Sequence, residues 1–350
     1  MSLTASVLEG NRLALARLLT QVENNTPDGK AALSELFPFT GKAHLIGVTG
    51  APGTGKSSLV NQLVRFFRQS DKEVQWNNPS RRVGIVAVDP SSPFTGGAIL
   101  GDRVRMRDLA GDSGVFIRSM ASRGSLGGLA HTTGGIVLAL DAAGFEVILI
   151  ETVGAGQAEV DIARLAHTTM VVEAPGLGDD IQAIKAGILE IADILVINKA
   201  DRPGVEATER ALRSMLQLSL PGSRVFQNHD KLHHGLNLDD TNQTSETVID
   251  DNVVWTPPIL KTVATEGNGV QNLAHVIYQH HQFLRKTGEW HRRERARLQS
   301  ELNSLLQDTL VDRWKSSIAP QEYDLVLRSL FQHEISPWQA VETLLSGMKS

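Results

Sequence analysis

Apolar and polar positions divide the chain into a helical start, a long middle that alternates strands with helices, and a helical end. Over residues 3–20, Val7, Leu8, Leu13, Leu15, Leu18 and Leu19 fall at helical spacing, which predicts one amphipathic helix. A polar stretch with Asn25, Pro27 and Gly29 follows, and a second, short helix is expected over 30–36. Apolar runs then predict strands at 44–49, 83–88, 145–150, 168–173, 193–197 and 259–263, with a further short one at 115–118. Helical patterns separate them at 56–69, 99–109, 126–143, 156–166, 180–191, 205–219 and 269–284. Strands that are apolar on both faces and alternate with helices imply an α/β fold, a mostly parallel sheet covered by helices on both faces.

Two polar stretches read as surface insertions. One is 71–82, with Asn77, Asn78, Pro79 and two arginines; the other is 227–253, poor in apolar residues and expected to be a mobile loop. His229, His233 and His234 in the second are loop residues or, less readily, metal ligands, since no flanking scaffold fixes their geometry. From about 289 to 348 the pattern is helical. Leu298, Leu302, Leu305 and Trp314 recur at roughly helical spacing, and Pro320 and Pro337 each suit the first turn of a new helix. The stripe from Leu298 to Trp314 suits packing on the chain's own core as well as contact with another copy. The basic run from Arg285 to Arg297 reads as a solvated helix face. The expected organisation is a helical extension at 1–40, an α/β domain at 41–285, and a helical arm at 286–350.

Composition narrows the functional classes. The 350 residues are 41% hydrophobic and 21% charged, with a formal net charge of −5, which suits a globular protein and not a nucleic-acid binder. The absence of cysteine excludes disulfides, thiolate metal sites and cysteine nucleophiles, and fits a reducing compartment. The first residues have neither an apolar secretory core nor the Arg- and Ser-rich character of a mitochondrial presequence, and no run of 18 apolar residues exists, so a cytoplasmic location off the membrane is expected.

The chemistry lies in the loops that follow apolar runs. Residues 50–57, Gly50-Ala51-Pro52-Gly53-Thr54-Gly55-Lys56-Ser57, match the G-x-x-x-x-G-K-[ST] phosphate loop between a predicted strand and a predicted helix. Glycines let successive backbone N–H groups face phosphate oxygens, and the helix N-terminus, here including Ser58, adds partial positive charge. Lys56 is expected on β- and γ-phosphate oxygens and Ser57 on Mg²⁺. The plain alternative is a glycine-rich turn that binds nothing. Residues 198–201, Asn198-Lys199-Ala200-Asp201, follow the apolar run Ile194–Ile197. A carboxylate there accepts two hydrogen bonds from the ring N–H and exocyclic amine of guanine; adenine offers no such pair, so Asp201 favours GTP over ATP. Asn198 is expected to tie its loop to the phosphate loop, Lys199 to lie along the base, and Val263, Ala264 and Thr265 to offer backbone N–H groups to the guanine carbonyl.

Mg²⁺ needs oxygen ligands. Asp89 and Glu151 end predicted strands, on the carboxyl side where ligands bind in parallel sheets, and Asp102 lies in the intervening loop, where it could equally open a helix. In Glu151-Thr-Val-Gly154 the Gly154 N–H can reach a γ-phosphate, and the next residue, Ala155, stands where a Gln orients water in other GTPases. Slow intrinsic hydrolysis is the expectation, with Gln157 nearby.

Together these residues resemble the MeaB/ArgK family of P-loop GTPases associated with methylmalonyl-CoA mutase, over roughly residues 40–300. The resemblance rests on Gly50–Ser57, Ala87-Val-Asp-Pro-Ser-Ser-Pro93, Gly96-Gly-Ala-Ile-Leu-Gly-Asp-Arg-Val-Arg-Met106, Arg118 through Gly128 with its Ser-Arg-Gly-x-Leu-Gly-Gly, Glu151-Thr-Val-Gly-x-Gly-Gln157, Gly178-Asp-Asp-x-Gln-x-x-Lys185 and Asn198-Lys-Ala-Asp201. It implies a GTP/GDP- and Mg²⁺-binding chaperone that gates adenosylcobalamin delivery to an acyl-CoA mutase and protects or reactivates it. It also implies a homodimer joined through C-terminal helices, metal and switch roles for Asp89, Asp102 and Glu151, and a partner-sensing switch in which Gln182 and Lys185 act. On residue type alone, Gln182 and Lys185 read as a helix start and a surface lysine. The sequence departs from the family at the long 227–253 stretch, at Ala155 where a larger apolar residue is usual, and at Gly134-Gly135 within a helix. A small-molecule phosphotransferase is the alternative, since part of the family carries an amino-acid transport kinase name, but no acceptor-binding segment is apparent. A metallochaperone needs cysteine or histidine clusters, and the histidines here are scattered.

Overall fold

Apolar-rich runs of three to eight residues bounded by loops form the strands β1 (His44–Thr49), β2 (Val83–Pro90), β3 (Val115–Ser122), β4 (Val147–Thr152), β5 (Thr168–Glu173), β6 (Ile194–Ile197) and β7 (Ile259–Lys261). The computed structural model describes residues 2–69, 81–90, 106–109, 111–122, 128–152, 158–176, 190–219 and 254–346. The strands pair, all in parallel, in the order β3-β2-β4-β1-β5-β6-β7. This is the sheet expected from the sequence. β3 runs four residues beyond the expected end because every residue of β2, from Val83 to Pro90, has a partner on it. The ladder carries β3 through Arg118 and Ser119, where no apolar signal marks a strand.

The helices are α1 (Leu3–Leu8), α2 (Arg12–Glu23), α3 (Pro27–Leu36), α4 (Lys56–Arg68), α5 (Gly128–Ala142), α6 (Ala158–Leu165), α7 (Val205–Ser219), α8 (Val270–Lys286), α9 (Glu289–Ser317), α10 (Pro320–Phe331) and α11 (Pro337–Ser346). The single helix expected over 3–20 is two. Gly10-Asn11 breaks it, and the Asn11 side chain caps α2 by accepting from the amides of Leu13 and Ala14, both at 3.0 Å. Pro320 and Pro337 open α10 and α11 as expected. The expected helices at 99–109 and 180–191 lie mostly outside the described residues, as do 70–80 and 220–253 with His229, His233 and His234.

Two apolar layers sandwich the sheet. On one face α4 and α8 supply Leu59, Leu63, Phe67, Leu273 and Ile277. On the other, α2, α5 and α6 supply Leu15, Leu18, Leu19, Ile136, Leu140 and Ile162. The first 40 residues are therefore part of this core. Gly135 is what lets α2 and α3 come so close to α5: a Cβ there would stand 2.8 Å from Val22 Cγ1 and 3.1 Å from Leu33 Cδ1. The glycine pair in α5 trades helix propensity for close packing.

The chain divides into two compact units, Met1–Arg297 and Leu298–Ser350, so the boundary falls within α9. In the second unit, Val326, Ala340 and Leu344 pack with Trp314, Ile318 and Leu330. The Arg285–Arg297 run is only in part a solvated face. Arg292 and Arg295 are exposed, but Arg297 is buried and Arg293 ion-pairs with the buried Asp193. Among the described residues, no helix is long and apolar enough to cross a membrane.

Candidate functional site

Adjacent strands β1 and β4 send their following helices, α4 and α6, to opposite faces of the sheet, as membership of the two apolar layers requires. A crevice forms where such connections diverge, beyond the carboxyl ends of the strands. The phosphate-loop residues 50–57 fill it. Gly50 has φ +131°, and a Cβ there would lie 2.0 Å from the Val172 carbonyl oxygen of β5, so no other residue can occupy this turn. The loop ends at Gly55, which precedes α4 without any side-chain cap, so the first amides of α4 are left to other acceptors.

Two lysines hold the loop. The Lys56 ammonium, on a buried side chain, donates to the carbonyls of Gly50 (2.8 Å) and Ala51 (2.9 Å). Lys199, in a left-handed conformation at φ +57°, donates to the Gly53 carbonyl at 2.6 Å. The Ser57 hydroxyl donates to Glu151 Oε1 at 2.6 Å, with both residues buried. This pair of hard oxygens, one from the start of α4 and one near the end of β4, is the donor chemistry that Mg²⁺ takes. Beside it the hydroxyls of Thr152 and Thr49 meet at 3.2 Å.

Asn198 joins three loops. Its Nδ2 donates to the Thr54 carbonyl at 2.8 Å. Its Oδ1 accepts from the Thr262 hydroxyl at 3.1 Å and the Ala264 amide at 3.0 Å. The Val263 amide donates to Asn268 O at 3.0 Å. Of the amides expected to serve a guanine carbonyl, then, those of Val263 and Ala264 are engaged internally, while Thr265 is exposed. Asp201 is exposed on the turn after β6. The backbone of Asp89 lies at the carboxyl end of β2, as expected from the sequence. Asp102, Gly154, Gln157, Gln182 and Lys185 lie outside the described residues. Sequence reading missed Thr262 and the Thr49–Thr152 pair. Each is a hydroxyl at the end of an apolar run, a signal easily passed over.

A family profile described as "Methylmalonyl Co-A mutase-associated GTPase MeaB" matches residues 15–319. The chain belongs to the MeaB family. Among its relatives, a protein of Pyrococcus abyssi named as a candidate GTPase is 40% identical over 96% of this chain and 93% of its own length. GTPase ArgK of Escherichia coli is 33% identical over 91% of this chain and 86% of its own. The mouse protein named methylmalonic aciduria type A homolog, mitochondrial, is 27% identical over 99% of this chain and 79% of its own. A solved structure titled as an LAO/AO transport system kinase superposes with a TM-score of 0.64, 24% identity, and coverage of 99% and 97% of the two chains, which supports the shared fold. The MeaB match includes both the phosphate loop and the Asn198–Asp201 loop that Asn198 binds together.

Replacing Asn198 with Ala strands the Ala264 amide and the Thr54 carbonyl in a buried setting. Asn198→Ala is expected to lower unfolding stability by ~1–3 kcal/mol. Denaturant titration of both proteins checks this, and an unchanged midpoint at equal slope would remove Asn198 as the tie.

Proposed function

We propose that this MeaB-family chain binds Mg·GTP and hydrolyses it slowly, and that it serves as a chaperone of an adenosylcobalamin-dependent acyl-CoA mutase, gating cofactor delivery and protecting or reactivating that enzyme. One observation carries the nucleotide reading: Asn198 bonds to the Thr54 carbonyl, which brings the guanine-reading loop against the phosphate loop. GTP spans the two. Amides of Gly53–Ser58 cradle its phosphates, with Gly50, Ala51 and Pro52 shaping the turn. Lys56 and Lys199 exchange their carbonyl partners for nucleotide, Lys56 at the β- and γ-phosphates and Lys199 along the base. Asp201 accepts the two guanine N–H groups, and the Thr265 amide donates to the guanine carbonyl.

Ser57 and Glu151 would hold magnesium, with Asp89 and Asp102 as the further carboxylates of the metal site. When bound, magnesium would supply positive charge that offsets the charge of the phosphates. Gly154 senses the γ-phosphate by its amide. Lys185 and Gln182 respond to the mutase. The family name supports the mutase as partner. A phosphotransferase reading has less support, because the sequence pattern offers no recognisable acceptor-binding segment beside the phosphate loop.

The proposed homodimer draws support from the second unit. On α9, Leu302, Leu306 and Leu310 recur every fourth residue, so they form one stripe, and all are exposed. Phe331 and Trp338, at 86% and 77% exposure, add large apolar surface to the same unit. We place the protein in the cytoplasm, with neither nucleic acid nor membrane as partner.

Asp201→Asn removes the double acceptor and is expected to weaken GTP binding roughly 5- to 150-fold, from ~1–3 kcal/mol. Calorimetry with magnesium reads it, and equal affinity for ATP and GTP in the wild type would end the guanine assignment. Phosphate release from labelled GTP should be slow alone and faster with added methylmalonyl-CoA mutase, and Glu151→Gln should lose the magnesium-dependent turnover. Label passing to arginine would support the kinase instead. Sedimentation equilibrium should return twice the chain mass, falling to one chain mass in Leu306→Asp; a monomeric wild type would remove the dimer.

A further inference from the structure

The opposite end of the sheet, where the strands begin, holds an unusual concentration of imidazole. His44 opens β1, His167 immediately precedes β5, and His280 and His281 lie on α8. His44, His167 and His280 are 3%, 2% and 0% exposed. Trp290, 2% exposed in the first turn of α9, stacks on the His167 ring with centroids 3.8 Å apart. The Arg285 guanidinium lies 3.7 Å from the same indole centroid, so Trp290 is held between a histidine and an arginine. His281 sits 4.8 Å from His44 and 5.2 Å from Trp290, ring to ring.

One hydrogen bond requires a neutral ring. Nδ1 of His167 accepts the Leu45 amide N–H at 3.1 Å, so that nitrogen carries no proton and Nε2 donates to Glu294 at 3.2 Å. The Thr168 hydroxyl bridges His44 Nε2 at 2.7 Å and His280 Nδ1 at 2.9 Å. With a single proton to give, it can donate to only one of the two rings.

The charges nearby oppose protonation as well. Asp193, before β6, takes both Nη atoms of Arg293 at 2.8 and 2.9 Å, and Glu294 takes Arg297 at 3.0 and 2.6 Å. His280 Nε2 lies 3.4 Å from the same Asp193. Arg81, itself paired with Glu146 at 3.6 Å, also faces His281, and Arg285 faces both His44 and His281. Glu289 and Asp141 act on Arg293 and Glu294 rather than on the rings. Both carboxylates beside the histidines are thus already matched by guanidinium groups. A histidinium would gain some attraction to Trp290, but Arg285 already uses one face of that indole, and the Leu45 amide would lose its acceptor.

We propose that this cluster is a pH-sensitive clasp: it fastens the first turns of α9, Glu289–Arg297, to the amino ends of β1, β5 and β6 while its imidazoles are neutral, and mild acid opens it. Every member lies in the unit Met1–Arg297, and α9 continues from the clasp into the second unit. The titration behaviour agrees. Burial, reinforced by neighbouring positive charge, brings His281 down to about 4. Burial also brings His280 to about 4 against the pull of Asp193, and it lowers His44 and His167. Their folded values lie below the ordinary imidazole value of about 6.5. The opened form therefore binds more protons, and the closure is complete above about pH 6.5 and lost as pH falls toward 4. Glu294 behaves separately. Burial opposes its charge, but His167 and Arg297 overcome that and hold it at about 2, so it stays ionised throughout this window.

Hydrogen exchange on the full-length protein tests the clasp, with rates corrected for the intrinsic pH dependence. A ring moving from about 4 to about 6.5 weakens closure about tenfold at pH 5.5. With His280 and His281 both released, protection of the 289–297 amides should fall about 100-fold between pH 7.5 and 5.5, while that of the α5 amides holds. His281→Gln, at the least buried of the four rings, should reduce the fall to about tenfold. Constant protection at 289–297, or loss in step with α5, overturns the clasp in the wild type alone. An undiminished fall in His281→Gln overturns its assignment to these imidazoles.

Discussion

One buried amide holds the candidate site together. The Asn198 side chain has a donor and an acceptor end, and neither can be left unpaired in a site only 1% exposed without a penalty comparable to a lost hydrogen bond. Its partners come from the phosphate loop after β1 and from the segment after β7, while Asn198 itself follows β6. Three loops separated by up to 210 residues in sequence (Thr54 to Ala264) thus share one short side chain. The phosphate loop cannot drift from the Lys199–Asp201 loop while this amide is satisfied. The proposed nucleotide reading depends on that fixed separation.

Parallel pairing makes such a meeting possible and also gives the two ends of the sheet different characters. All seven strands point the same way, so every following loop arrives at one edge and every preceding residue at the other. The carboxyl edge carries short side chains, two lysines and a carboxylate set against a hydroxyl. The amino edge carries histidines, tryptophan and arginines, with Asp193 and Glu294 matched to guanidinium groups. Burial demands pairing at both ends. At one end loop carbonyls that a ligand can replace hold the two lysines; at the other, Asp193 and Glu294 of the same core hold the arginines. β1 joins the two, with His44 at its start and Gly50 just past its end, about 20 Å at the usual strand rise.

Membership of the MeaB family accounts for the order of the motifs, and the structure accounts for one departure from it. Gly134-Gly135 looks like a weakness when α5 is considered as an isolated helix. Packed, Gly135 is where α2 and α3 approach too closely for a side chain. The N-terminal helices, which follow no motif, share the apolar layer beneath α5 and α6.

The sequence alone determined the alternation of strands and helices, the phosphate loop with its flanking elements, the Asn198–Asp201 motif, and the family. These are local: a strand's two-sided apolarity, a glycine turn and a capping proline are each written within a few residues. It did not determine where α1 stops, because Gly10-Asn11 interrupts a pattern whose apolar spacing runs on. It left β3 short, because strand length there is set by the partner β2. It also gave no sign of the imidazole cluster, and it suggested a solvated face for Arg293 and Arg297. His44, His167, His280 and Trp290 lie up to 246 residues apart (His44 to Trp290) and share no periodicity. Only the packing of α8 and α9 on the strand starts brings them together, buries their rings and sets Arg293 and Arg297 beside Asp193 and Glu294.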